Sequence, residues 1–234
     1  MGMIHFVGGE KGGVGKSVMS RLLSQYFIDR EQAYSGLDAD QSHPTLTRYY
    51  GEFTKPINLD KFESIDQIVE EAIETNNSVL VDLPAQSQRF LDHWIDDNDV
   101  LEMCEEAEIP LVYWYVADDG RDSVQLLNKF LGKYGERLQC VVVKNHGCGS
   151  DFSELEELLA KSQEPAFQDL LQINLPSLHD STMHKVDKLN FSFWAAANLK
   201  DTETPKLGLM ERQRVKVWLK KSYGAFDDVF SIIA

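Results

Sequence analysis

Between an apolar run at residues 4–7 and an amphipathic pattern that opens at residue 16 lies Lys11-Gly12-Gly13-Val14-Gly15-Lys16-Ser17. No other stretch of the chain limits its fold so tightly. A strand that must turn at once into a helix, through glycines at 12, 13 and 15, can point successive amide hydrogens into one hollow. The helix start adds the positive end of its dipole. Together these imply a cradle for phosphate oxygens. Lys16 would reach the outer phosphates, and the Ser17 hydroxyl is placed for Mg²⁺.

The remaining sequence alternates short apolar runs with helical patterns. A helix is expected over 16–30, with Leu22, Leu23, Tyr26 and Phe27 three to four residues apart. A weaker strand follows at 34–37, interrupted by Ser35 and Gly36, with Asp38 and Asp40 beyond its end. A helical pattern at 64–74 leads to a strand at 78–83, stopped by Pro84. Residues 92–108 read as helical and hold eight carboxylates with no Lys or Arg.

Strands at 111–116 and 138–143 flank a helix at 123–131, and Lys144-Asn145 follows the second of them. A turn at 147–150 and a helix at 152–159 precede a strand at Leu171–Leu175, closed by Pro176. Helices at about 193–199 and 209–223 complete the pattern. Alternation of this kind predicts an α/β fold of three layers, a mostly parallel sheet with helices on both faces. Apolar runs without strict alternation suit strands buried on both sides. Residues 1–234 are expected to form a single domain.

Composition sets limits on partners. The formal net charge is −15, so an evenly acidic surface would repel nucleic acid and anionic lipid unless a local basic patch intervened. Cys104, Cys140 and Cys148 form no CxxC pair and lack zinc or iron–sulfur spacing, which points to a reducing compartment. No run reaches the length needed to span a bilayer, and a cytoplasmic location is expected. The histidines are scattered, with no third ligand near His179 and His184, and there is no GxSxG turn for serine catalysis.

The lysine at the head of the loop is the unusual feature. The segment Lys11–Ser17 departs from GxxxxGK[S/T], because Glu10 stands where the first glycine would be. It resembles the deviant phosphate loop of the ParA/MinD family of P-loop ATPases. Asp38-Ala39-Asp40 is similar to the Asp-x-Asp of that family's first switch, and Asp82-Leu83-Pro84 to the Asp-x-Pro of its second. Val143-Lys144-Asn145 is similar to the strand end that contacts adenine, and Leu175-Pro176 to the start of the loop that covers the base. The likeness spans roughly residues 4–185.

The resemblance implies ATP held by Gly12, Gly13, Val14, Gly15, Lys16, Ser17 and Val18, with Asn145 and Pro176 at the base. It implies Mg²⁺ near Ser17, Asp82 and Asp38. Lys11 would act on the nucleotide of a second subunit, so an ATP-bound homodimer is expected. Either Asp40 or Asp38 would orient the attacking water. Aligning on Asp-x-Asp selects Asp40, whereas aligning on Gly36-Leu37-Asp38 selects Asp38. A protein partner would stimulate slow hydrolysis.

The C-terminal helix carries the one evident basic segment, with Arg212, Arg214, Lys216, Lys220 and Lys221 against Glu211. Arg212, Lys216 and Lys220 share a face. It is a candidate for nonspecific DNA or a protein partner, and Asp227 and Asp228 beyond it argue against a membrane anchor. The expected function is ATP-timed partition or positioning of DNA or a macromolecular complex. The alternatives are a metabolic or metallochaperone ATPase, and a nucleotide-switched binding module with little turnover.

Overall fold

Strands β1 (Ile4–Gly8), β2 (Tyr34–Asp38), β3 (Thr54–Pro56), β4 (Ser78–Asp82), β5 (Leu111–Ala117), β6 (Gln139–Asn145) and β7 (Leu171–Leu175) form one sheet in the order β3-β2-β4-β1-β5-β6-β7. Every pairing is parallel. The computed structural model describes residues 2–162, 165–167, 170–200 and 205–233.

The strands are apolar on both faces, and each face has its own core. Phe6, Val81, Tyr113, Tyr115 and Val142 point to one side, against Ile68 of α4 (Gln67–Thr75), Leu91 of α5 (Gln88–Asp97), Leu127 of α7 (Arg121–Tyr134) and Leu155 of α8 (Ser153–Lys161). Val7, Leu80, Trp114, Val116 and Val143 point to the other. There they meet α1 (Lys16–Asp29), α2 (Thr45–Tyr50), α10 (Phe193–Asn198) and α11 (Leu209–Ile233). The result is the expected three-layer α/β fold with a parallel sheet between helices.

Several elements differ from the sequence reading. The pattern at 64–74 breaks into α3 (Phe62–Ile65) and α4 around Asp66, whose carboxylate accepts from Trp94 Nε1 at 2.9 Å. The acidic stretch divides into α5 and α6 (Val100–Glu106). Helix α2, strand β3 and helix α9 (Asp180–Lys188) are too short or too polar to show a period. The last helix does not stop near 223 but runs to Ile233. Phe226 and Val229 are buried beyond that point, and Phe226 and Phe230 meet the rings of Tyr26 and Trp114. The sequence pattern ends the helix near 223, whereas the apolar face of these last turns packs on the sheet.

Candidate nucleotide site

In a parallel sheet the carboxyl ends of neighbouring strands converge, and the candidate residues lie there. Asp82 is in register with Val7 of β1 and with Asp38 of β2. The phosphate loop leaves β1 beside them and re-enters the fold as α1. Gly13 and Gly15 turn it at φ 79° and 93°, values that strain any residue with a Cβ. A Cβ on Gly15 would also lie 2.1 Å from Asn145 Nδ2. Gly12 and Gly13 are exposed, while Val14 is buried and anchors the loop to the core. Among the described residues, no hydrogen bond is recorded from the backbone amides of Gly12, Gly13, Gly15, Lys16 and Ser17. Unpaired amides around an open turn suit phosphate oxygens.

Lys16 is 8% exposed, and its Nζ donates to the carbonyl of Lys11 at 2.9 Å. Burial presses its ammonium below the usual value, while Asp82, Glu10 and Asp40 pull the other way. Ser17 and Val18 are half-buried on the first turn of α1. Asp82 is 1% exposed, and its Oδ1 accepts from Ser20 Oγ at 2.8 Å, one turn beyond Ser17. Its Oδ2 is buried without a partner. Burial pushes this carboxyl up to about 7, and Asp38 and Asp40 add to the effect. An orphaned carboxylate oxygen among acids beside a helix start fits a hard divalent cation, so the residues present suit Mg²⁺.

Asp38 and Asp40 are engaged differently. Asp38 is 1% exposed; Oδ1 accepts the Asp40 amide at 3.2 Å and Oδ2 the Thr47 amide at 2.8 Å. Burial raises its carboxyl, and these amides oppose the rise. Asp40 is half-buried, and only its Oδ1 is recorded as an acceptor, from the amides of Ser42 and His43 at 3.1 and 2.9 Å.

Asn145 takes a part beyond the one its sequence position suggested. Its Nδ2 donates to the Val14 carbonyl at 2.8 Å, and its Oδ1 accepts from the Gly147 amide at 3.0 Å. The amide therefore bolts β6 to the phosphate loop. Pro176 is half-buried, and its carbonyl accepts from Trp218 Nε1 of α11 at 2.6 Å. Residues 176–179 are irregular and α9 follows them.

Two features escaped the sequence reading. Lys11 Nζ donates to both oxygens of Asp118, at 3.1 and 2.8 Å. Asp118 directly follows β5, the strand beside β1, and that position was the one available signal. Glu10 binds the loop to the second switch: its Oε1 accepts the Gln88 amide at the start of α5 at 2.9 Å, and its carbonyl the Gln86 amide at 3.2 Å.

The basic residues of α11 do not all face outward. Arg214, Lys216, Lys220 and Lys221 are exposed, whereas Arg212 turns back to the Leu207 carbonyl at 2.7 Å. The cysteines are dispersed, Cys104 and Cys140 in the core and Cys148 at the surface. No helix among the described residues is long and apolar enough to cross a membrane.

No family model matches the chain. Its sequence is 27% identical over 230 residues to protein TraL of Escherichia coli, covering 93% of this chain and 94% of that one. A plasmid partition protein of Borrelia burgdorferi, solved with AMPPNP, superposes with a TM-score of 0.57 at 14% identity, covering 97% of this chain and 99% of that one. The MinD cell division protein of Aquifex aeolicus superposes with a TM-score of 0.54 at 14% identity, covering 95% and 97%.

Proposed function

We propose that this chain, a P-loop protein of the ParA/MinD class by its phosphate loop and its fold, is an ATPase that pairs two copies when ATP is bound. It uses that cycle to partition or position DNA or a macromolecular complex. The carrying observation is the position of Lys11. Its side chain leaves the cradle and reaches Asp118 just past β5, so it points away from the phosphate hollow of its own subunit. A second copy bringing a triphosphate opposite would give it a use, and two-fold symmetry would make that use reciprocal.

The geometry supports a part for each residue. The amides of Gly12 to Ser17 cradle the phosphates, and Lys16 exchanges the Lys11 carbonyl for phosphate oxygens. Asp82 and Ser17 would hold Mg²⁺, with Asp38 supporting the shell. The metal would supply charge neutralisation between the outer phosphates. Asp40 is the better candidate for orienting water, because Asp38 spends both oxygens on backbone amides. Asn145 braces the loop from β6, and Pro176 lies at the base side of the site. Turnover is slow until a protein partner completes the arrangement.

Sedimentation with Mg²⁺ and AMPPNP tests this reading. Wild type should dimerise with AMPPNP and remain monomeric with ADP. Lys11→Ala should bind nucleotide yet stay monomeric, and Lys16→Ala should lose tight binding. A Lys11→Ala protein that dimerises and hydrolyses like wild type would leave only a generic phosphate-loop ATPase.

A further inference from the structure

We infer that Asp118 is a positioning residue for Lys11, a latch that holds the lysine inside its own subunit until nucleotide and a second copy draw it out. The inference rests on the trans-acting role proposed above and adds what restrains that role.

The contact is built from three sides. Asp118 Oδ1 and Oδ2 receive Lys11 Nζ at 3.1 and 2.8 Å, with side chains 31% and 16% exposed. Ser123 Oγ and the Gly120 amide also donate to Asp118, so the carboxylate is fixed before the lysine arrives. Although burial works against it, donation from Lys11, Ser123 and Gly120 keeps Asp118 below the usual carboxylate range. Asp118 in turn raises Lys11, and Asp122 and Asp119 add to the effect.

Residue 120 must be small for this to happen. A Cβ on Gly120 would lie 2.5 Å from Lys11 Nζ, while the backbone there, at φ −78°, is open to any residue. The lysine thus occupies a slot that the glycine leaves free. Its main chain is held as well, since the Lys11 carbonyl accepts Lys16 Nζ at 2.9 Å. When phosphate recruits Lys16, that hold is released, and binding in one subunit loosens the residue that must act in the other. The latch opposes dimerisation at rest and is undone by the ligand that dimerisation needs.

The restraint has a size. A part-exposed ion pair contributes modestly, about threefold in an equilibrium constant. A symmetric dimer opens two latches, so the dimer dissociation constant should change by about tenfold.

Two variants remove the latch by different chemistry. Asp118→Asn removes the carboxylate charge. Gly120→Ala keeps that charge and evicts the lysine by bulk. Both are expected to tighten the AMPPNP-bound dimer about tenfold by sedimentation, with nucleotide affinity of the monomer unchanged. Neither should have any such effect in a Lys11→Ala background. A weaker or unchanged dimer in Gly120→Ala would overturn the latch, because the lysine is then freed without benefit. Tightening by Asp118→Asn that persists with Lys11→Ala would overturn it too, since the carboxylate would then act by repelling the other subunit. If wild type and Lys11→Ala dimerise alike, the trans-acting role itself has failed, an outcome visible before any latch variant is made.

Discussion

Two aspartates separated by one alanine differ in what their oxygens touch, and under the proposed function one takes a structural part and the other a chemical one. Asp38 holds the amides of Asp40 and Thr47 from a buried position. Asp38→Ala should therefore cost about 1–3 kcal/mol of stability, measurable by denaturant titration, because it removes the acceptor of two part-buried amides. Asp40→Ala should keep ATP affinity and slow hydrolysis, with dimer accumulating. The reverse pattern, slow turnover in Asp38→Ala alone, would move water orientation to Asp38. His5 offers a pH test at the same scale. Burial beside Phe27, Trp114 and Phe230 lowers it from 6.5 to about 3. Between those values the unfolded chain binds more protons than the folded one. The stability is intact above pH 6.5 and is lost as pH falls toward 3, at ~1 kcal/mol per pH unit. His5→Leu should flatten this dependence between pH 6.5 and 5 in denaturant titrations.

Helix α11 packs in the same layer as α1, the helix that opens from the phosphate loop. Its buried stripe, Val215, Trp218, Leu219, Phe226 and Val229, packs on the sheet face that carries α1. Asp227 accepts from Tyr26 and Arg30 of the α1 end, at 2.8 and 2.6 Å. Phe226→Ala should cost about 3–5 kcal/mol and show as a lower melting temperature, since Phe226 is fully buried among aromatic rings. Trp218→Phe is subtler. It keeps most of the packing against Phe193 but loses the bond to the Pro176 carbonyl. Nucleotide affinity should fall about threefold in a titration while the melting temperature moves little. Equal affinity would mean that the Pro176 loop does not couple α11 to the nucleotide.

At the scale of the molecule, charge is unevenly spread. A chain of net charge −15 exposes Arg214, Lys216, Lys220 and Lys221 on one helix. Asp92 and Asp96, in the acidic stretch, are paired with Lys133 at 3.0 and 2.9 Å, which offsets part of the local negative charge. If α11 is the DNA-contacting face, the AMPPNP-bound protein will retain duplex DNA at low salt. Lys216→Glu with Lys220→Glu should then abolish retention without changing dimerisation. Retention by that double variant would place the contact elsewhere.

Much of this was legible in residue order, because it depends on neighbours along the chain. Strand, loop and helix at residues 4–29 follow from apolar period and three glycines, and continuous apolar runs imply a sheet covered on both faces. The acids at 38, 40 and 82 stand out because each lies at or just past the end of a strand. Contacts made across the sheet were not legible, since no local pattern encodes them. Asp118 is one acid among many until β5 is set beside β1, and only then does it meet Lys11, 107 positions away. Asn145 is an ordinary strand-end asparagine until β6 brings it to the Val14 carbonyl. The last turns of α11 lay beyond the helix read from the sequence until the aromatic face of the sheet offered them burial. Local sequence chose the elements and the phosphate cradle, because backbone conformation and period are short-range properties. Tertiary packing chose the partner of each charge, because burial and strand order decide which distant groups share a desolvated space.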